Sequence, residues 1–199
     1  MSTVSVDRSQ RRQYACDGKR YFSVTQICHA MMGETSYGSE ADMQRGTDLH
    51  TIFALAVASY AGRCAPPIVP GEYQGYYQSM QDWIDAFKPV PISIEKPSIY
   101  CKANHSFAGT PDLLAWIQHK QKRRLAIVDL KSGAAAPWHR IQVSAYARLD
   151  GYTEAETLGL LYVHADGNQP TYQAIARHGG SRDMAASYSA LQLLIWREL

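Results

Sequence analysis

The sequence predicts an α/β fold: a mixed central β-sheet flanked by helices. Two observations carry this. Helical and β-prone segments follow one another in the order helices, three strands, helix, two strands, helix, and elements interleaved in this way pack as layers around one sheet. In the middle of the chain, two apolar β-prone runs, 109–117 and 125–133, are separated only by a short charged turn, the pattern of an antiparallel hairpin. At 199 residues, a single domain with one substantial core is the default expectation.

Residues 1–20 are polar and basic, and read as a flexible arm ahead of Tyr21 and Phe22. Ser23, with Gln26 three residues on, has the form of a capping box opening a helix to about Met32. A loop over 33–39 leads into a longer helix over about 41–61. There Gly46, His50, Phe53, Val57 and Tyr60 recur at three- and four-residue intervals along a predicted core-facing stripe. A Pro-rich connection over 64–71 precedes a Tyr-rich helix over 72–87, which ends before Pro89.

Residues 92–101 read as one strand with Ile92, Ile94 and Ile99 as its apolar members, and Pro97 predicts a bend or an edge position. The hairpin comes next. After the link over 133–136, Pro137 opens a helix to about Leu149. Residues 158–163 and 171–176 read as strands with a turn at Asp166, Gly167 and Asn168 between them. A closing helix over 182–198 carries Met184, Tyr188, Leu191 and Ile195 on one face.

Asp112, Asp129 and Lys131 interrupt the apolar runs of the hairpin, where a charge needs a partner to be tolerated. A turn centred on residues 119–122 sets Asp112 opposite Asp129, about 5 Å apart at Cβ on one sheet face. Lys131 shares that face, because strand side chains alternate. Two facing carboxylates repel unless a cation lies between them. The alternative is a buried ion pair in which Lys131 is a structural counter-ion. Gln142 and Tyr146, four apart, share a helix face, and His139 lies three residues before Gln142 on the same side. Helix–sheet packing alone would also account for Tyr146, as a satisfied core histidine would for His50.

Asp112 followed by Asp129, Leu130 and Lys131, with Pro111 in front, resembles the PD-(D/E)XK nuclease motif. Gln142 and Tyr146 are similar to the Gln-x-x-x-Tyr motif of the RecB-like exonuclease branch, and Gly46 and His50 resemble the glycine and histidine of its upstream helix. The likeness runs from about Val24 to Tyr146. It implies a restriction-endonuclease-like core and a site holding Mg²⁺ or Mn²⁺. Asp112, Asp129, His50 and the Leu130 main-chain carbonyl would be the ligands. Lys131 would orient the attacking water, and Gln142 and Tyr146 would line the site and hold the nucleic acid or the lysine. Glu95 falls in the strand where many relatives carry a further acid. Some relatives hold an iron–sulfur cluster with one early and three late cysteines. Here the cysteines are Cys16, Cys28, Cys64 and Cys101, so no such cluster is expected.

The composition, 46% hydrophobic and 19% charged, is that of a soluble globular protein, without an apolar run long enough to span a bilayer. An apolar signal core is also lacking, so the expected location is the cytoplasm of a bacterial or phage-infected cell, with the cysteines reduced. A net charge of +2 does not announce a nucleic-acid binder, which leaves local basic patches at 8–12 and 120–124. Trp116, Trp138, Tyr73, Tyr76 and Tyr77 could stack on unpaired bases or serve as core and rim residues. The expected function is a metal-dependent DNA exonuclease acting on ends or single strands in recombination, repair or phage DNA processing. An endonuclease of the same fold and a non-catalytic nucleic-acid-binding module are the alternatives. No Walker A pattern is present, so any motor would be a partner helicase or recombination protein.

Overall fold

The computed structural model describes residues 4–7, 13–32, 39–102, 105–176 and 181–197. The basic patch at 8–12 and most of the loop expected over 33–39 lie outside them. Where a flexible arm was expected, three short strands stand instead: β1 (Ser5–Asp7), β2 (Gln13–Cys16) and β3 (Lys19–Tyr21), an antiparallel sheet in that order. The signal for it was Asp17 followed by Gly18. Both adopt positive φ (50° and 76°), the geometry a two-residue hairpin turn demands and an Asp-Gly pair supplies. Tyr14 and Cys16 are buried, and the Tyr14 hydroxyl lies 3.0 Å from Thr110 Oγ1, so this sheet is pinned to the body of the protein.

Helix α1 (Val24–Met32) begins at the expected capping box: Gln26 N donates to Ser23 Oγ (3.0 Å), and Ser23 N donates to Gln26 Oε1 (2.7 Å). Helix α2 (Glu40–Tyr60) is capped in the same manner by Ser39 and Asp42. A 3₁₀ turn (Gly71–Tyr73) leads into α3 (Gln74–Phe87), which Lys88 ends in a left-handed conformation, φ 47°. There follow β4 (Val90–Ile94), β5 (Ser98–Tyr100), β6 (Phe107–Gly109), β7 (Leu113–His119), β8 (Lys122–Lys131), α4 (Pro137–Tyr146), β9 (Thr157–Tyr162), β10 (Thr171–Ala176) and α5 (Ser181–Arg197). No helix among the described residues is long and apolar enough to cross a membrane.

Five strands form the central sheet in the order β10-β9-β8-β7-β4. Only β8 and β9 run parallel, with α4 as the crossover that parallel neighbours require, so the sheet is mixed. Alternation along β8 sends Leu125 and Ile127 to one face, where α1, α4 and α5 cover them. Ala126, Val128 and Leu130 go to the other face, under α2 and α3. Asp129 and Lys131 share the parity of Leu125 and Ile127, and so lie on the α4 side.

The hairpin has the register its sequence predicts, from His119 opposite Lys122 to Leu113 opposite Val128. Lys120 and Gln121, φ 48° and 63°, make a two-residue turn with both residues left-handed. The expected single strand over 92–101 is two strands in different sheets. β4 bulges at Ile92, leaving that side chain half exposed, and stops at Ile94; β5 pairs with β6 instead. Pro97 explains the break: it offers no N–H to a ladder and restricts Lys96 before it.

On the far face, α3 lies against the β9–β10 turn so closely that a Cβ on Gly75 would fall inside contact distance of the Ala165 carbonyl oxygen. Backbone cannot yield there as a flexible side chain would. Gly75→Ala should therefore destabilise the protein by about 1–3 kcal/mol through overpacking, more than the roughly 0.5–1 kcal/mol that alanine gains in a helix. A fall in the urea midpoint at unchanged m-value would show it; an unchanged or higher midpoint would contradict the packing.

Candidate active site

Four elements meet at the end of the hairpin remote from its turn. The apolar stripe of α2 is Leu49, Ile52, Phe53, Ala56 and Val57. His50 lies at the margin of that stripe rather than on it, and Tyr60 is exposed, which corrects the predicted face. Being marginal, the imidazole reaches past the sheet edge to two acids instead of packing as a core histidine. Its Nδ1 is 3.0 Å from Asp112 Oδ1 and 3.5 Å from Glu95 Oε1. A space for a Cβ is open at Gly46, one turn earlier, so packing does not require glycine there.

Asp112 sits one residue before β7, fully enclosed, and links three elements. Its main-chain carbonyl accepts from Glu95 N (2.9 Å), its Oδ2 accepts from Leu130 N (2.7 Å), and its Oδ1 faces His50. The β7–β8 ladder stops at Leu113, and beyond it the Asp112 side chain takes the Leu130 N–H. Glu95 follows β4 with φ 46°, a left-handed conformation that costs a glutamate of order 1–3 kcal/mol and persists only when its surroundings enforce it. One donor atom each from His50, Glu95 and Asp112 lies within 4.8 Å of the other two, a set that could hold a metal ion.

Asp129 is buried beside this cluster. Its Oδ2 is 2.7 Å from Lys131 Nζ, yet neither carboxylate oxygen has a well-directed hydrogen bond among the described residues. Lys131 is held from the other side: its ammonium donates to Gln142 Oε1 (2.8 Å), and Gln142 Nε2 donates to the Tyr146 hydroxyl (3.0 Å). The amide orientation is chemically forced, because an ammonium can only donate and must face the oxygen. Trp138, one turn before Gln142, sets its ring 5.3 Å from Lys131 Nζ. The ammonium thus donates to Gln142 and stands beside Asp129 as a counter-charge, keeping donor capacity for a ligand.

The charges shift one another. Burial would discharge His50, but the negative charge of Asp112 and the carboxylate oxygens of Asp112 and Glu95 that face its Nδ1–H outweigh it and raise the imidazole pKa to about 10. Burial likewise pushes Asp112 up, and the His50 charge pulls it below the usual carboxylate range. For Asp129, burial dominates; Lys131 opposes it, Asp112 reinforces it, and its pKa rises to about 6.

Of the residues expected at the site, His50, Glu95 and Asp112 form one cluster, and Asp129, Lys131, Gln142 and Tyr146 form the chain beside it. His139 departs from expectation. Its Nδ1 accepts from Ala136 N (3.3 Å) and lies 3.1 Å from the Tyr162 hydroxyl, and burial lowers its pKa to about 4. It therefore secures the start of α4 as a neutral imidazole. The basic patch at 120–124 spans the hairpin turn and the start of β8, roughly 15–25 Å from the site at about 3.3 Å per residue. Tyr73, Tyr76, Tyr77 and Trp116 pack at the margins of the two cores. Trp138 is the residue whose place the sequence left open; its spacing of four residues from Gln142, as Gln142 is four from Tyr146, was the available signal.

No family model matches the chain, and neither does any curated protein sequence. Among solved structures it is similar to LHK-Exo in complex with dAMP, at 11% identity and a TM-score of 0.46, covering 89% of this chain and 89% of that one. It is also similar to SSO0001, at 13% identity and a TM-score of 0.41, covering 86% of this chain and 75% of that one. What the chain does is therefore read from its own residues.

A metal ligand must be a neutral imidazole, whereas His50 with a pKa of about 10 carries a proton at pH 8. Mn²⁺ binding at pH 8 should then release about one proton per ion and tighten about tenfold per pH unit below pH 10. Calorimetry in buffers of different ionisation enthalpy reads the release, and His50→Gln should abolish it. Proton-neutral binding by the unsubstituted protein would remove His50 from the ligand set.

Proposed function

We propose that the chain is a nuclease domain of the PD-(D/E)XK type, RecB-like branch, and that it is an Mg²⁺- or Mn²⁺-dependent deoxyribonuclease. It works as an exonuclease on DNA ends or single strands, in recombination, repair or phage DNA processing. The observation that carries this reading is the juxtaposition of the His50–Glu95–Asp112 cluster with Asp129, whose buried oxygens lack well-directed donors, and with a lysine held by Gln142.

Phosphodiester hydrolysis needs an activated water, neutralisation of the phosphate and help for the leaving oxygen. A bound divalent cation supplies Lewis acidity toward the phosphate and lowers the pKa of water. In this reading Asp112, Asp129, His50, Glu95 and the Leu130 main-chain carbonyl are the donors that hold it. Imidazole favours Mn²⁺ over Mg²⁺, whereas the carboxylates suit either. Lys131 turns its free donor toward the water and toward charge developing on the phosphate. Gln142 and Trp138 keep the ammonium in place, and Tyr146 keeps Gln142 in place. Without an ATP motor motif, the enzyme acts alone or is fed by a helicase or recombination partner.

Because the Lys131 charge acts mainly on the transition state, Lys131→Ala should cut the rate on end-labelled linear single-stranded DNA at least about a hundredfold. It should still bind Mn²⁺ and retard the DNA in a gel. Cleavage at the unsubstituted rate would make Lys131 a bystander, and loss of metal binding through unfolding would make it a structural counter-ion. Covalently closed duplex circles should survive both proteins; their rapid linearisation would establish the endonuclease alternative.

A further inference from the structure

Glu95 enters the cluster only because the chain is bent at that residue into a conformation that glutamate seldom adopts. No glycine eases the bend, and Glu95 Oε1 is buried without a well-directed hydrogen bond among the described residues. Something must therefore hold the backbone. On one side, Glu95 N donates to the Asp112 carbonyl. On the other stands Tyr152, whose ring is buried in the core beneath α4 and whose hydroxyl spans the bend. It accepts from Ser93 Oγ (3.1 Å) and donates to the Lys96 carbonyl (2.9 Å), two residues before Glu95 and one after.

Tyr152 is itself held. Its N–H donates to the Leu149 carbonyl (3.0 Å), continuing the turns that close α4. Next to it, Asp150 N donates to the Ile99 carbonyl (2.9 Å), and Ser98 Oγ donates to the Asp150 carbonyl (2.7 Å), tying the same segment to β5 beyond the bend. Both flanks of Glu95 are thus anchored on residues 149–152, which directly follow the helix that carries Gln142 and Tyr146.

We propose that Tyr152 is a positioning residue for the metal centre: by bridging Ser93 and Lys96 it holds Glu95 in the left-handed conformation that aims its carboxylate at His50 and Asp112. The proposal rests on the reading that this cluster binds a divalent cation. Removing the hydroxyl leaves the ring in the core but frees the bend, so Glu95 can relax toward extended backbone and withdraw.

Calorimetric titration with Mn²⁺ tests it on the full chain as wild type, Tyr152→Phe, Glu95→Gln and the double variant, with circular dichroism as the control for folding. Tyr152→Phe should bind Mn²⁺ about 10-fold or more weakly, the scale seen when an outer-shell partner of a ligand is lost. In the Glu95→Gln background the same change should have no further effect, a coupling that general loosening of the core would not produce. Ser93→Ala, which leaves the Tyr152 hydroxyl bond to Lys96 intact, should weaken binding less, and it serves in place of Tyr152→Phe if that variant does not fold. Wild-type affinity in Tyr152→Phe, or a penalty that adds in full to that of Glu95→Gln, would overturn the proposal. No Mn²⁺ binding by the wild type would overturn the metal reading beneath it.

Discussion

The carboxylate of Asp112 joins sheet to site. One oxygen accepts the N–H of Leu130 where the β7–β8 ladder stops, and the other faces the imidazole of His50 on a helix from the opposite layer. The same residue's main-chain carbonyl takes the N–H of Glu95. A neutral residue here would leave the Leu130 N–H buried without an acceptor and would remove the nearer counter-charge of the half-buried His50 imidazolium, each of them costly. The Leu130 N–H and the His50 imidazole both depend on this one side chain being charged and in place.

That arrangement carries a cost. Asp129 has a raised pKa, so the stability it contributes is full below about pH 3.9 and is lost as pH rises through about 6. His50 has a raised pKa as well, and its contribution is full below about pH 6.5 and is lost only as pH approaches 10. At neutral pH the site therefore has a stabilised imidazolium and a destabilised carboxylate side by side. Together with the left-handed backbone of Glu95, this is a pattern that favours a ligand able to take up negative charge. A divalent cation that displaces the His50 proton and satisfies the Asp129 oxygens would relieve it.

Much of the centre was legible in the sequence because hairpin register follows from turn position and strand alternation. The turn at Lys120 and Gln121 fixed which residues face one another, and with it Asp129 and Lys131 on the face that Gln142 and Tyr146 cover. What escaped had physical causes. The bend at Glu95 depends on a bulge and on hydrogen bonds from Tyr152, more than fifty residues away, which no local periodicity reveals. His50 was read onto the core stripe of α2 because a spacing of three or four residues cannot distinguish the centre of an apolar face from its edge. The N-terminal sheet was missed although Asp17 and Gly18 spell a hairpin turn, because its strands are only three or four residues long and largely polar.

The most direct measurement is anomalous X-ray scattering from crystals of the protein grown or soaked with Mn²⁺. A peak should appear bounded by the His50 imidazole and the carboxylates of Glu95 and Asp112, with Asp129 at its side and Lys131 remaining on Gln142. Density for Mn²⁺ elsewhere, or none at saturating concentration while His50 stays paired with Asp112, would contradict it.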